Sequence, residues 1–158
     1  MVTSTGVEIA FGCERVRDLW DEILPLMVAH HSEVAEREPN LPPLNIDRIQ
    51  YEVLDALGSL RVYTVRVDNE LVGYASMIIT KPLKACGTLT AVHDALYLKP
   101  EHRLGLTGLK LIAFADAELA AEGVVRVLQI APVGTGLGKA LERLGYAPLE
   151  ITYTKRLA

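Results

Sequence analysis

Two adjoining stretches carry residue types that could do chemistry. His93 and Asp94 stand inside the apolar run 88–98, and Pro100-Glu101-His102-Arg103 leads from that run into Arg103-Leu104-Gly105-Leu106-Thr107-Gly108, after which an amphipathic stretch begins. A strand feeding a glycine-bearing turn that opens a helix suits the holding of a phosphate. The first helical turn has unpaired N–H groups and the positive end of the macrodipole. Gly108 would permit close backbone approach, Thr107 could add a hydroxyl, and Arg103 would supply charge. Of the His-Asp pair, His93 is the better base near neutrality, with an ordinary pKa of about 6.5. Strand alternation puts His93 and Asp94 on opposite faces unless a bulge intervenes, so at most one is expected to face a substrate. A hydrogen-bonded structural His-Asp pair is the alternative reading.

The elements that must position these residues follow from periodicity. "VEIAFGC", residues 7–13, alternates as a short strand, and Val16, Leu19, Trp20, Ile23, Leu24, Met27 and Val34 recur at helical spacing over about 14–38, with Pro25 inside as a kink or break. After "EPNLPPLN" a second helix is predicted to start at the N-cap Asn45, to bury Ile46, Ile49, Val53, Leu54 and Leu57, and to end at Gly58. "LRVYTVRV" and "LVGYASMIIT", separated by "DNE", read as a hairpin with a bulge near Gly73, and a third strand covers 88–98. A helix over about 105–122 is closed by Gly123, "VVRVLQIA" (124–131) reads as a buried strand, and a short helix "GLGKALERL" precedes a final alternating strand, "LEITYTKRL". The order is β-α-α-β-β-β-α-β-α-β.

At 158 residues the chain fits a single domain over 1–158, able to bury a core without disulfides or metal. Half of it is hydrophobic and its net charge is −4, which argues against disorder and gives no support for nucleic-acid binding. No apolar stretch approaches the roughly 18 residues of a membrane span, and no leader-like segment opens the chain, so a cytoplasmic protein is expected. Cys13 and Cys86 form no Cys-x-x-Cys pair and read as free thiols.

The element order and the segment "LYLKPEHR" followed by Arg103-Leu104-Gly105-Leu106-Thr107-Gly108 resemble the GNAT superfamily of N-acetyltransferases over nearly the whole chain. In that family the strand runs into x-Pro-Glu-x-Arg and then Gln/Arg-x-x-Gly-x-Gly/Ala. Here Leu106 replaces the first motif glycine, while Arg103 and Gly108 stand where the pattern wants them. "HDALYL" and "LERLGY" are also similar to short GNAT-like proteins of tailed bacteriophages. The resemblance implies an α/β (α+β) fold with one mixed, mostly antiparallel sheet, splayed between strands 88–98 and 124–131. It implies acetyl-CoA as co-substrate without a metal, its pyrophosphate on the backbone of Leu104, Gly105, Leu106, Thr107 and Gly108 beside Arg103. The pantetheine arm would lie along Leu96, Tyr97 and Leu98.

The implied activity is transfer of the acetyl group to a primary amine, of a small molecule or a protein, with His93 or Asp94 removing the amine proton. A homodimer is among the expected assemblies. The family's usual proton-donating tyrosine is replaced by Leu141, so Tyr153, or Tyr146 beside Gly145, stands in by proximity, and Gly134 stands where an asparagine often opens the last helix. These losses keep a second reading open: a protein of this fold that binds coenzyme A or a protein partner with little or no catalysis. Residues 133–140, "VGTGLGKA", fail as a P-loop because Val133 and Ala140 replace the required glycine and Ser/Thr. "HHSEVAERE", residues 30–38, has no recognised metal spacing; a Glu33–Arg37 helix pair on a solvated face and an acidic rim for an amine are its two readings.

Overall fold

The computed structural model describes residues 6–158. A five-residue strand β1 (Ile9–Cys13) leads into α1 (Val16–Ala35), a single helix that passes through Pro25 without breaking. Pro25 lies on the exposed side, where a carbonyl deprived of its helical partner meets water, while Val16, Leu19, Trp20, Ile23, Leu26 and Met27 hold the opposite stripe in the core.

Helix α2 (Arg48–Ala56) is capped by Asp47 rather than Asn45: the Asp47 carboxylate accepts from the Gln50 amide at 3.0 Å. Gly58 follows its end with φ +72°, as the C-terminal glycine should. The expected apolar face is only half realised. Ile46 and Leu54 pack against the core, but Ile49 and Leu57 are 74% and 73% exposed and Val53 is exposed too. The helix is rolled to bury Tyr51, whose ring meets Trp20 edge-on with centroids 6.1 Å apart, and that roll turns the Ile49–Val53–Leu57 stripe outward.

β2 (Leu60–Val67) and β3 (Glu70–Thr80) form the predicted hairpin around Asp68 and Asn69, both at positive φ, the conformation that matches strand twist in a two-residue turn. The bulge expected near Gly73 falls at Val72. β4 (Leu89–Leu98), a 3-10 turn (Pro100–His102), α3 (Thr107–Ala121), β5 (Val124–Leu128) and α4 (Leu137–Arg143) complete the order. The sheet runs β1-β2-β3-β4-β5, antiparallel except for the parallel β4–β5 pair, so it is mixed and mostly antiparallel as expected. α1 and α2 cover one face, over Leu60, Val62, Leu71, Tyr74 and Tyr97; α3 covers the other, over Tyr63, Val65, Val72, Ala75 and Met77.

Two sequence expectations fail towards the C-terminus. β5 stops at Leu128 rather than running to residue 131, and residues 149–157 form no strand. Leu149, Ile151 and Tyr153 do alternate, yet they are exposed, and no backbone hydrogen bond ties residues 147–158 to a neighbouring strand among the described residues. Alternation gives a segment the capacity to be a strand, but a hydrogen-bonded edge makes it one. Both cysteines are free and exposed, and among the described residues no helix is long and apolar enough to cross a membrane.

Candidate active site

The parallel pairing of β4 with β5 covers only Leu89–Val92 against Val124–Leu128. From His93 to Leu98 the same edge of β4 has no strand partner, because β5 has ended and the chain has turned away. The two strands therefore part into a cleft that exposes a row of backbone N–H and C=O groups, the form of edge that an extended ligand can pair with. Gln129, the first residue beyond β5, lies at the fork, its side-chain oxygen 2.8 Å from His93 Nδ1.

A bulge lies at the same place. Ser76 pairs with Ala95 and Met77 with His93, so Asp94 is the extra residue. The Asp94 carboxylate accepts from Ser76 Oγ at 2.6 Å, and Ser76 sits between Tyr74 and Ile78, which face the helices α1 and α2. Both His93 and Asp94 lie within electrostatic reach of His30 on α1, whose ring stands 5.7 Å from that of Tyr97. The bulge thus removes the either-or choice that alternation imposed on the pair. Burial lowers the pKa of His93 despite the opposing Gln129 hydrogen bond and Asp94 charge, and burial together with His93 lowers that of His30. Both imidazoles are neutral at pH 7. An amide oxygen can only accept, so His93 carries its proton on Nδ1 and leaves the Nε2 lone pair available.

The turn beyond β4 is built as the sequence suggested, with one difference. Gly105 takes φ +93°, which favours glycine, and α3 opens at Thr107 with no side chain capping its first amides. Leu104 and Leu106 are exposed, and a Cβ on Gly108 would meet nothing nearer than Leu98 Cδ2 at 3.9 Å. The protein's own packing does not require glycine there. An uncapped helix N-terminus with an open approach suits an anionic group. Arg103, by contrast, is engaged: its Nε donates to the Leu98 carbonyl at 2.7 Å, its Nη2 to Glu33 at 2.6 Å, and the guanidinium lies 5.3 Å from the Tyr97 ring centre. It joins the end of β4 to α1, and Glu33 pairs with it rather than with Arg37.

The candidate proton donors fall differently from expectation. Tyr153 is 89% exposed on the C-terminal segment, and among the described residues it makes no hydrogen bond to His93 or Asp94. Tyr146 is half-buried and donates to Asp116 on α3 at 2.6 Å; burial and that carboxylate push its phenol well above the usual range. Leu141, at the family's tyrosine position, is buried in the core. Sequence reasoning missed His30, Ser76, Tyr51 and Gln129. His30 was visible as a polar residue continuing the apolar stripe Ile23–Met27, and Gln129 as the polar residue closing an apolar run, whereas the Ser76–Asp94 bond depends on strand register.

Neither a family model nor a curated protein sequence matches the chain. Solved structures do. A ribosomal-protein-alanine N-acetyltransferase from Brucella melitensis superposes with a TM-score of 0.70 at 19% identity, covering 96% of this chain and 100% of its own. An aminoglycoside acetyltransferase from an uncultured soil metagenomic sample, in complex with sisomicin, gives 0.73 at 14% identity, covering 95% and 97%. A predicted acetyltransferase with acetyl-CoA from Clostridium acetobutylicum gives 0.69 at 12% identity, covering 94% and 96%. The chain has the GNAT fold of the N-acetyltransferases.

Proposed function

We propose that the protein is an N-acetyltransferase that takes the acetyl group from acetyl-CoA and passes it to a primary amine by direct attack in a ternary complex. The parting of β4 from β5 beside an uncapped helix start is the observation that carries this reading. The backbone edge at Leu96, Tyr97 and Leu98 would hold the pantetheine arm, and the amides of 104–108 the pyrophosphate, with Thr107 adding a hydroxyl and Gly108 leaving room. Acetyl-CoA supplies an activated thioester carbonyl. The chain's own residues supply the base and the orientation. Gln129 fixes the His93 tautomer so that Nε2 can take the amine proton, and Ser76 fixes the Asp94 carboxylate beside it. In the transfer the amine N–C bond forms and the C–S bond breaks, one proton passes to His93, and the thiolate recovers a proton from solvent.

Solvent is assigned that last role because Leu141 is buried and cannot donate, and Tyr153 is exposed with no hydrogen bond to the His93 cluster among the described residues. The same observation favours a second reading, a coenzyme A binder with little turnover. Both are tested by acetyl-CoA protection and amine-dependent release of coenzyme A. A ligand at 100 times its dissociation constant adds about 2.7 kcal/mol, which for a chain of this size raises Tm by roughly 5–10 °C. His93→Ala should lower kcat more than tenfold and leave that shift intact, since the base acts in the transition state. Protection without turnover on a broad amine panel selects the binder; unchanged rates in both His93→Ala and Asp94→Asn assign deprotonation to water.

A further inference from the structure

Beneath α2 lies a cavity of about 440 Å³ that shares only Tyr51 and Asp94 with the cluster at the fork. Leu54, Leu60 and Ile78 give it an apolar wall; Asn45, Asp47, Gln50, Tyr51 and Asp94 are its polar side. None of its lining residues is Lys, Arg or His, while Asp94 and Asp47 contribute two carboxylates. The arginines of the neighbouring helix starts are already paired, Arg48 with Glu52 at 2.7 Å and Arg15 with Asp55 at 2.8 Å. Asp94 accepts from the neutral hydroxyl of Ser76, a bond that orients the carboxylate, and among the described residues no cationic side chain pairs with it. Burial and the Asp94 charge push the Tyr51 phenol up to about 12, so it stays a neutral donor. Asp94 therefore joins this cavity to the fork, where His93 stands next in sequence.

We infer that this cavity binds the acceptor, and that the acceptor is a small primary amine with an apolar body and no anionic group; it docks as its ammonium form with Asp94 as counter-ion, releases one proton to solvent to become the neutral nucleophile, and gives up the second to His93 as the N–C bond forms. The inference rests on the acetyl-transfer reading above and narrows it. The apolar wall accepts the carbon chain, and a lining with two carboxylates and no cationic side chain attracts a cation and rejects a carboxylate or phosphate. Specificity against anionic amines comes from the repulsion, since nothing in the lining could pair a second negative group.

Three five-carbon probes differ only at the far end: pentylamine, 1,5-diaminopentane and 5-aminopentanoate. Binding to the full chain without acetyl-CoA, followed by protein NMR shifts, and kcat/KM with acetyl-CoA are the two readouts. Pentylamine and 1,5-diaminopentane are expected to bind at least about tenfold more tightly than 5-aminopentanoate, with kcat/KM in the same order. Gln50 is exposed on the wall, so Gln50→Lys and Gln50→Glu alter its charge with little effect on packing. The first should weaken pentylamine about tenfold and the second tighten it, both leaving the acetyl-CoA melting shift unchanged. Equal binding of the three probes, no binding of any, or insensitivity to both Gln50 variants would overturn the inference. Loss of the acetyl-CoA shift with the amine order intact would remove the acetyl-transfer reading and keep the amine site.

Discussion

Leu98 lies between two glycines that are glycine for different reasons. On β3, a Cβ at Gly73 would stand 2.6 Å from Leu98 Cδ1 and 2.7 Å from the Tyr97 carbonyl oxygen, so the fold itself forbids a side chain. On α3, a Cβ at Gly108 would meet only Leu98 Cδ2, at 3.9 Å, and its backbone is outside the left-handed region. On the β3 side of Leu98 the space is closed by the protein's own chain, and on the α3 side it is left open. A glycine that neither packing nor φ demands marks space kept for something else, and that distinction is available only once the neighbours are placed.

The largest expected effect tests the closed side. Gly73→Ala forces a methyl into backbone and side chain, an overpacking of about 3 kcal/mol, and should lower Tm by roughly 6–12 °C in calorimetry. A wild-type melting curve would break the contrast. On the open side, Gly108→Asp should melt within about 2 °C of wild type yet lose most of the roughly 5–10 °C gained with acetyl-CoA, because a carboxylate then faces anionic oxygens. Gly108→Ala should retain more of that gain; equal retention in both would mean that nothing anionic approaches there.

The smallest effect extends the comparison to the α1 side of β4, where His30 is held neutral by burial. Its folded pKa lies below the unfolded value of about 6.5, so the unfolded chain binds the proton first. The His30 contribution is complete above that pH and is lost as pH falls towards the folded pKa. His30→Phe should therefore flatten the decline of Tm between pH 7 and 5, by roughly 1–2 °C. An unchanged slope would show that His30 titrates alike in both states.

Much of the fold was legible because its elements are long and strongly periodic. The α1 stripe, the two-residue turn at Asp68–Asn69 and the strand-turn-helix around Gly105 all follow from local spacing. What failed depended on partners. The stripe Ile49–Val53–Leu57 was well spaced for burial, but Tyr51 won the contact with Trp20; residues 149–157 alternate, but no edge receives them. The candidate site was legible in its residue types around His93 and Gly108 and not in its geometry. Bulge, tautomer and the engagement of Arg103 arise from Ser76, Gln129 and Glu33, residues 18 to 70 positions away.

The one parallel pairing has a consequence in time. β2, β3 and β4 are joined as successive hairpins and can zip from the Asp68–Asn69 turn outward, whereas β5 reaches β4 only after α3 has crossed the sheet. Non-local pairing must meet its loop-closure entropy before its contacts form, so of the pairings β2–β3, β3–β4 and β4–β5 the last, which borders the cleft, is expected to form late and to open first. Amide exchange should accordingly be slowest in β3 and fastest, among the strands on that side, in β5, with a ligand along β4 slowing the latter most.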